Sequence, residues 1–206
     1  MVAIIDYGVG NLFSLQSSFR AIGVEAVVTA DPEVIRKADR ILLPGVGAFG
    51  DAAQKLRDSG MAEVVCAEAK TGKPIMGICL GMQLLFEDAY EYGHHKGLGL
   101  IKGSVRPIAE VIPKDYKIPQ IGWNALHFKK ESPLFRHIKD GDFVYFVHSY
   151  YASDCDEAVI ADTDYGAPIT AAVAMDNVCG CQFHPEKSGK VGLAILRAFS
   201  EMEGKV

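Results

Sequence analysis

The first half of the chain alternates between short apolar runs and stretches in which apolar residues recur every three or four positions. The apolar runs predict strands at Val2–Ile5, Ala26–Thr29, Arg40–Leu43 and Ile75–Ile78. The helical spacing between them predicts helices. The first helix follows Asn11 as its N-cap, and the second begins at Asp31-Pro32. Two more occupy roughly residues 51–58 and 61–70. Such alternation is typical of a parallel sheet with helices on both faces.

After Gly93 the helical spacing gives way to short apolar runs separated by turns. These runs predict strands at Val105–Ile108, Ala125–Phe128, Phe143–Val147, Ala158–Ala161, Ile169–Met175 and Val178–Phe183. Some of them should pair antiparallel and extend or cover the sheet edge. Ser188 is expected to cap a last helix. Residues 1–206 are therefore expected to form a single α/β domain, with a mostly parallel central sheet and additional antiparallel strands.

The composition narrows the class of protein. Apolar residues make up 49% of the chain and charged residues 23%, as in ordinary globular proteins. No apolar run approaches the ~18 residues of a membrane span, and the chain begins with a strand-like segment rather than a signal peptide. A net charge of −5 argues against general nucleic-acid binding. The five cysteines form no disulfide framework, so a reducing cytoplasm is the expected location.

An apolar strand, a sharp turn and an amphipathic helix are predicted over residues 74–86, with Cys79 at the turn. Together with Gly77 and Gly81, Cys79 forms a nucleophile elbow in which sulfur replaces the serine oxygen. The glycines remove side chains where strand and helix crowd together, so that Cys79 can hold a strained backbone. The dipole and free N–H groups of the helix are expected to favour the thiolate. The segment therefore indicates nucleophilic catalysis by Cys79.

A base for this thiol is available near the C-terminus, where His184 follows an apolar strand and precedes Pro185 and Glu186. His184 could accept the thiol proton, while Glu186 could fix the tautomer of the ring and stabilise the imidazolium. A turn with a surface histidine and a solvated glutamate explains the same residues. Spacing alone does not decide between them, because the sequence gives no contact between positions 79 and 184.

A glycine-rich segment after the third predicted strand should lie at the same sheet edge as Cys79. Its glycines allow a backbone N–H to turn toward a developing oxyanion, together with the N–H of Leu80. The candidate oxyanion residues are thus Gly45, Val46, Gly47 and Leu80. A plain strand-to-helix turn is the alternative.

Three further motifs are less specific. The glycine-rich turn Asp6–Asn11 is weak evidence for a nucleotide site, and His148–Tyr151 is either a set of substrate contacts or an ordinary strand end. Two pairs invite a metal interpretation: His94 with His95, and Cys179 with Cys181. Neither matches common zinc spacing, so no metal is predicted.

The elbow at Cys79, followed far downstream by Gln182–Glu186, resembles the class I (triad) glutamine amidotransferase family. Within that family the chain is similar to the glutaminase subunits of imidazole glycerol phosphate synthase. The segments that carry this likeness are Asp6–Leu12, Pro44–Phe49, Ile121–Asn124, Phe146–Tyr151 and Gln182–Ser188. They span nearly the whole chain, and no motif position departs from the pattern.

The resemblance implies hydrolysis of the glutamine side-chain amide by a triad of Cys79, His184 and Glu186. It also implies that the Val46 peptide turns over before it can donate to the oxyanion. The positions that hold glutamine in the family are matched by Gln83, Ser149 and Tyr150. No cofactor is implied.

The family works as a heterodimer with a (β/α)8-barrel cyclase. This partner receives the ammonia through a tunnel and makes imidazole glycerol phosphate and aminoimidazole carboxamide ribotide in histidine biosynthesis. By resemblance, the interface positions are Trp123, Asn124, Tyr150 and Lys187. An exposed Trp123 would suit a docking anchor. Composition alone explains it equally well as a core residue.

Three other functions remain open at this point. The first is a glutaminase that serves another synthase, which the segments Asp6–Asn11, Pro44–Phe49 and Ile121–Asn124 argue against. The second is a non-catalytic amidotransferase-like binding module, which loss of a triad residue would have favoured. The third is a cysteine hydrolase or peptidase, which finds no support in Gln83 or in His148–Tyr151.

Overall fold

A computed structural model of the protein describes residues 1–204, and its first half has the predicted alternation of strands and helices. The strands are β1 (Val2–Ile5), β2 (Ala26–Thr29), β3 (Arg40–Leu43) and β4 (Ile75–Ile78). The helices are α1 (Leu12–Ala21), α2 (Pro32–Lys37), α3 (Phe49–Asp58) and α4 (Met61–Lys70). The predicted bounds of all four strands are confirmed. Every residue of β1 and β4 is buried, as expected for parallel strands covered on both faces.

The segment after β4 differs from the predicted amphipathic helix. Helix α5 (Leu80–Gln83) has only four residues, all of them buried, and the chain then enters β5 (Phe86–Ala89). The carbonyl oxygens of Leu84 and Leu85 accept hydrogen bonds from Leu98 and Leu100, each at 2.8 Å. Because these acceptors are committed to another segment, no further helical turn can use them. The predicted amphipathic helix therefore ends at Gln83, and its expected continuation toward Phe86 is wrong.

The second half consists of short strands followed by a C-terminal helix. They are β6 (His95–Lys96), β7 (Ile101–Pro107), β8 (Gln120–Ala125), β9 (His127–Phe128), β10 (Phe143–His148), β11 (Tyr150–Ser153), β12 (Val159–Asp164), β13 (Pro168–Met175), β14 (Val178–Cys181) and α6 (Gly189–Ser200). The strands β5, β6 and β11 were not predicted, and β8 was predicted only at its last residue, Ala125. The predicted strand Ala125–Phe128 is divided at Leu126, whose backbone bonds instead to Asp142 and Gly141.

Within residues 1–204, the largest sheet has eight strands in the order β2-β1-β3-β4-β14-β13-β12-β9. Its pairings are parallel from β2 to β14 and antiparallel from β14 to β9. Two smaller sheets pair β10 with β8, and β11 with β7, β5 and β6. This confirms the expected α/β class, although the sheet is mixed rather than parallel throughout.

Helices cover both faces of the large sheet, and each face has its own apolar core. Buried residues of α2, α3 and α4 pack on one face, and those of α1 and α6 pack on the other. No helix within residues 1–204 is both long and apolar enough to cross a bilayer.

Two of the three predicted helix caps differ in detail. Asp31 caps α2, because its side chain accepts from the Glu33 N–H at 2.8 Å. Asn11 and Ser188 stand at N-cap positions, but neither side chain makes a capping bond. The hydroxyl of Ser188 donates to the carbonyl of His184 and accepts from the N–H of Tyr145 instead. Ser188 therefore holds the turn at His184 rather than the helix.

Candidate active site

Three segments that carry candidate residues meet at the carboxyl edge of the parallel strands. The registers pair Leu43 of β3 with Gly77 of β4, and Ile78 with Cys181 of β14. The N–H of Cys79 extends the ladder by one step, since it donates to the carbonyl of Cys181 at 2.7 Å. The loops after β3, β4 and β14 therefore lie side by side, at the edge where open α/β sheets place their ligands.

The elbow has the geometry that the sequence predicts. A Cβ on Gly77 would lie 2.6 Å from the carbonyl oxygen of Gly81, and one on Gly81 would lie 1.9 Å from that of Leu43. Only glycine fits at either position. Cys79 has φ 53° and ψ −111°, a backbone conformation that side chains strongly disfavour. Such strain persists where the surrounding structure imposes it, which is the behaviour of a nucleophile elbow.

The short α5 changes what can stabilise a Cys79 thiolate. A macrodipole is the sum of aligned peptide dipoles, so a four-residue helix contributes little of it. Little of the dipole contribution expected from the helix after Cys79 is therefore available. Neighbouring side chains and individual N–H groups must supply the stabilisation.

His184 and Glu186 form a buried pair beside Cys79. The Nδ1 atom of His184 lies 2.8 Å from Oε1 of Glu186, and the two side chains are 4% and 2% exposed. Burial opposes protonation of the ring, but the side chains of Cys79 and Glu186 outweigh it and raise the pKa of His184 to about 9. At neutral pH the ring is therefore an imidazolium that can act as a general acid.

Glutamine turnover is expected to fall as the pH rises through about 9, because His184 then loses its proton. In Glu186→Gln this loss should begin at lower pH, since one of the groups that raise the pKa has been neutralised. Rates of glutamate release measured across pH for both proteins test this. The matched control is Glu201→Gln, which breaks an exposed His–Glu pair at His137. If the decline in rate at high pH were identical in Glu186→Gln and in wild type, it could not be assigned to His184.

The glycine-rich loop after β3 lies against the elbow. A Cβ on Gly45 would lie 2.6 Å from the backbone nitrogen of Gly81, so the loop touches the first turn of α5. The hydroxyl of Tyr7 donates to the carbonyl of Pro44 at 2.7 Å and anchors the loop from below. Val46 is 45% exposed, and Gly47 has φ +95°. The loop is thus fixed at Pro44 and open at Val46.

A cavity of about 560 Å³ opens above Cys79, a volume typical of small-molecule sites. Most of the candidate residues line it together. They are Val46, Gly47, Cys79, Leu80, Gln83, Ser149, Tyr150, His184 and Lys187. The structure therefore brings together the candidate nucleophile, base, oxyanion loop and substrate residues, while Gly45 and Glu186 support them from behind.

Amide and imidazole groups fix one wall of this cavity. The side-chain N–H₂ of Gln83 donates to the carbonyl of Tyr150 at 3.1 Å and to Oε1 of Gln182 at 2.9 Å. Both its hydrogens are used, so only its carbonyl oxygen remains for a ligand. Nδ1 of His148 also lies 2.8 Å from the Tyr150 carbonyl, which fixes the tautomer with the proton on Nδ1. Burial and the neighbouring His184 lower the pKa of His148 to about 4, so this ring is neutral.

Two residues of the site were missed as individual candidates. Gln182 is fully buried, and its amide nitrogen lies 3.5 Å from Sγ of Cys79. Its position two residues before His184 places it on the same face of an extended segment, a signal that could have identified it. Glu91 lines the cavity and accepts from the N–H of Phe49 at 2.6 Å. It lies in a stretch without apolar periodicity, so the sequence carried no such signal.

The predicted interface residues differ in their surroundings. Trp123 is 52% exposed, which excludes the alternative that it belongs to the core. The side chain of Asn124 donates to the carbonyl of Asp164 and accepts from Gln120, so it is bonded within the chain. Lys187 is exposed at the cavity, with Nζ 5.9 Å from the ring centre of Tyr145.

The two pairs considered as metal ligands have other roles. His94 pairs with Asp88, and His95 packs against Phe49. Cys179 and Cys181 are both 0% exposed and belong to the apolar core. Within residues 1–204 no group of three His, Cys, Asp or Glu side chains could hold a metal ion.

Comparison with known proteins identifies the class that this fold and site define. The family Glutamine amidotransferase class-I matches residues 3–201. The chain therefore belongs to the class-I glutamine amidotransferase family.

The curated relatives narrow the similarity further. The chain is 48% identical over 204 residues to "Imidazole glycerol phosphate synthase subunit HisH" of Wolinella succinogenes, covering 98% of this chain and 100% of that protein. It is 49% identical over 205 residues to the protein of the same name in Aquifex aeolicus, covering 98% and 97%. The chain is thus a homologue of HisH over almost its whole length.

Solved structures support the fold. The structure of PurLQS from Thermotoga maritima matches with a TM-score of 0.76 at 20% identity, covering 97% of this chain and 96% of that one. The glutaminase domain of Trypanosoma brucei CTPS with bound acivicin matches with a TM-score of 0.65 at 18% identity, covering 98% and 94%. At such identities the likeness concerns the fold alone.

Proposed function

We propose that residues 1–206 act as one domain that hydrolyses L-glutamine to L-glutamate and ammonia through a Cys79-His184-Glu186 triad. The observation that carries this proposal is the strained Cys79 beside a buried His184–Glu186 pair at the floor of the cavity. Membership of the class-I glutamine amidotransferase family supports it. The same observation disfavours a non-catalytic module, which would not need the strain or the buried charge.

In the first half of the proposed reaction, the Cys79 thiolate attacks the side-chain amide carbon of glutamine. The tetrahedral oxyanion accepts hydrogen bonds from the N–H of Leu80 and from the loop Gly45–Gly47, once the Val46 peptide is oriented toward it. His184 gives its proton to the amide nitrogen, the carbon–nitrogen bond breaks, and ammonia leaves. The product is a thioester on Cys79.

In the second half, His184 is neutral and acts as a base. It takes a proton from water, and the resulting hydroxide attacks the thioester carbon. The carbon–sulfur bond breaks, glutamate leaves, and the thiolate of Cys79 is restored beside the His184 imidazolium. Glu186 holds Nδ1 of the ring throughout.

The cavity wall offers groups that match an amino acid substrate. We assign substrate binding to Gln83, Ser149 and Tyr150, with the free carbonyl oxygen of Gln83 as an acceptor. Glu91 is a lining carboxylate and suits the α-ammonium group of glutamine. Such a contact would favour a free amino acid over a peptide as the substrate.

The proposed recipient of the ammonia is the cyclase subunit of imidazole glycerol phosphate synthase, a (β/α)8 barrel that forms a heterodimer with this chain. Identities of 48–49% to HisH proteins over nearly the full length favour this partner over other synthases. The ammonia would pass through a tunnel and enter histidine biosynthesis. We propose a cytoplasmic location, because all five cysteines are free and Cys79 must stay reduced.

An exposed apolar surface supports docking of such a partner. On the two-stranded sheet, Ile121, Trp123 and Phe143 are each more than half exposed. Large aromatic side chains of this kind are common binding anchors. We assign Trp123 and Lys187 to the interface, together with Asn124, which would act through its position in β8 rather than through a free side chain.

Glutamate release from glutamine tests the function directly. It would be measured for the chain alone, with the cyclase subunit from the same genome, and with that subunit plus its nucleotide substrate. We expect slow hydrolysis alone and strong stimulation in the last case, because a partner that contacts the exposed Val46 would orient its peptide toward the oxyanion. Trp123→Ala should require more cyclase for the same rate.

Each other result has a definite meaning. Hydrolysis that is stimulated only by a different synthase would overturn the partner but keep the glutaminase. Equal rates with and without the liganded cyclase would overturn the gating. No hydrolysis in any combination would overturn the glutaminase itself.

A further inference from the structure

The environment of Cys79 Sγ contains a polar group that the proposed mechanism does not use. Gln182 is 0% exposed, and its Nε2 lies 3.5 Å from Sγ. This distance is within the range of an N–H···S hydrogen bond. A fully buried amide is costly unless its polar atoms are paired, so the sulfur is part of what makes this burial tolerable.

A chain of hydrogen bonds determines which end of the Gln182 amide faces the sulfur. The backbone carbonyl of Tyr150 can only accept, so the group of Gln83 that contacts it at 3.1 Å must be the N–H₂. The same N–H₂ contacts the Gln182 amide at 2.9 Å, which must therefore present its oxygen there. The nitrogen of Gln182 is then left to face Sγ. The orientation follows from the donors and acceptors of the network.

The chain continuing from β14 explains why this side chain reaches the sulfur. Residues alternate between two faces after the strand: Cys181 and Phe183 enter the apolar core, while Gln182 and His184 face the elbow. Cys79 is thus approached by two side chains from the same strand end. One carries a charge that depends on pH, and the other is a neutral donor at every pH.

We propose that Gln182 is a second stabiliser of the Cys79 thiolate, donating its N–H to Sγ and fixing the direction of the sulfur. A donor favours the thiolate over the thiol, because a hydrogen bond to an ionised acceptor is the stronger one. The four-residue α5 leaves this role open. The use of the thiolate in glutamine hydrolysis rests on the proposed function, whereas the contact itself does not.

The donor is also in place when the thioester breaks. Sulfur is the leaving group when the thioester breaks, and at that stage His184 has just received a proton from water. Gln182 stabilises the departing sulfur without transferring a proton, so His184 and Gln182 do not compete. The amide also links Sγ to Gln83, so the sulfur and the candidate substrate residue share one rigid network.

Alkylation of the isolated chain by iodoacetamide across pH tests the proposal, since the rate follows the fraction of thiolate. The other thiols interfere little: burial raises the pKa values of Cys155, Cys179 and Cys181, and a Cys66→Ser background removes the half-buried one. The site of labelling is confirmed by its loss in Cys79→Ala.

Two variants change the donor in different ways at similar volume. Gln182→Met removes it, and Gln182→Glu replaces it with an oxygen that repels a thiolate. We expect the pH midpoint of alkylation to rise by about one unit or more in Gln182→Met, and further in Gln182→Glu. The matched control is Gln16→Met. It removes an amide that donates to the backbone carbonyl of Ala26, far from the elbow, and should leave the midpoint unchanged. Thermal unfolding confirms that each variant is folded.

Unchanged midpoints, or a lower one in Gln182→Glu, would overturn the proposal. If either variant does not fold, the proposal is tested instead by NMR of the Gln182 side-chain amide in the wild-type protein. Its N–H signals should titrate with the alkylation midpoint and should stop titrating in Cys79→Ala; signals that ignore the ionisation of Cys79 would overturn the proposal. A chain that passes these tests but releases no glutamate would refute the glutaminase and leave Gln182 in its role.

Discussion

Replacing Cys79 with alanine is expected to lower glutamine hydrolysis by at least about 10⁴-fold, because an alanine side chain cannot attack the amide or form the thioester. Alanine keeps a Cβ at the position, so the demand for φ 53° is the same and the fold should persist. In a complex with the proposed cyclase partner, synthesis supplied with free ammonia should continue at the wild-type rate. Glutamate release and product formation, each measured with glutamine or with ammonium salt, provide the test.

A control variant tests whether the loss of activity is specific to Cys79 or follows the removal of any cysteine. Cys66 is a half-buried thiol on α4, outside the cavity, and Cys66→Ala should leave both activities intact. If Cys79→Ala removed ammonia-dependent synthesis as well, Cys79 would be holding the complex together rather than attacking glutamine. Retained glutaminase activity would exclude it as the nucleophile.

The second large effect concerns folding. Gly81→Ala is expected to destabilise the protein by about 4 kcal/mol or more, because the new methyl would lie 1.9 Å from the carbonyl oxygen of Leu43. Leu43 ends a strand that lies between two others in the sheet, so this oxygen cannot retreat. Urea unfolding at equilibrium measures the effect.

Gly50→Ala is the matched control, since it also places a methyl on a helical glycine. There the nearest atoms belong to the side chain of His95, which can move aside, and alanine favours a helix more than glycine does. We expect a change within about 1 kcal/mol. Equal losses in the two variants would mean that the contact between the loop and the elbow is not what requires glycine.

The parallel half of the sheet was predictable because its inner strands, such as β1 and β4, are buried on both faces. Four apolar runs, such as Val2–Ile5 and Ile75–Ile78, have no competing helical pattern, and their bounds follow directly. The elbow was predictable for a related reason. Glycine is required at positions 77 and 81 because the backbone there is crowded, and this requirement is visible in a short stretch of sequence.

Features decided by distant residues were not predictable. The apolar residues after Cys79 fit a helical period as far as Phe86, yet the segment around Leu98 takes the carbonyl acceptors of Leu84 and Leu85. Glu91 reaches the cavity from a stretch without periodicity. The exposure of Trp123 depends on which face of β8 is covered, and composition does not contain that information.

The backbone of Tyr145 connects the exposed two-stranded sheet to the candidate base. Its carbonyl accepts from the N–H of His184 at 2.9 Å, and its N–H donates to Ser188 Oγ, which in turn holds the carbonyl of His184 at 2.6 Å. Three short bonds thus clamp one residue of β10 to both ends of His184. The Trp123 ring rests edge-on against the side chain of this same Tyr145. A partner that displaced β10 would therefore also displace the backbone that carries His184.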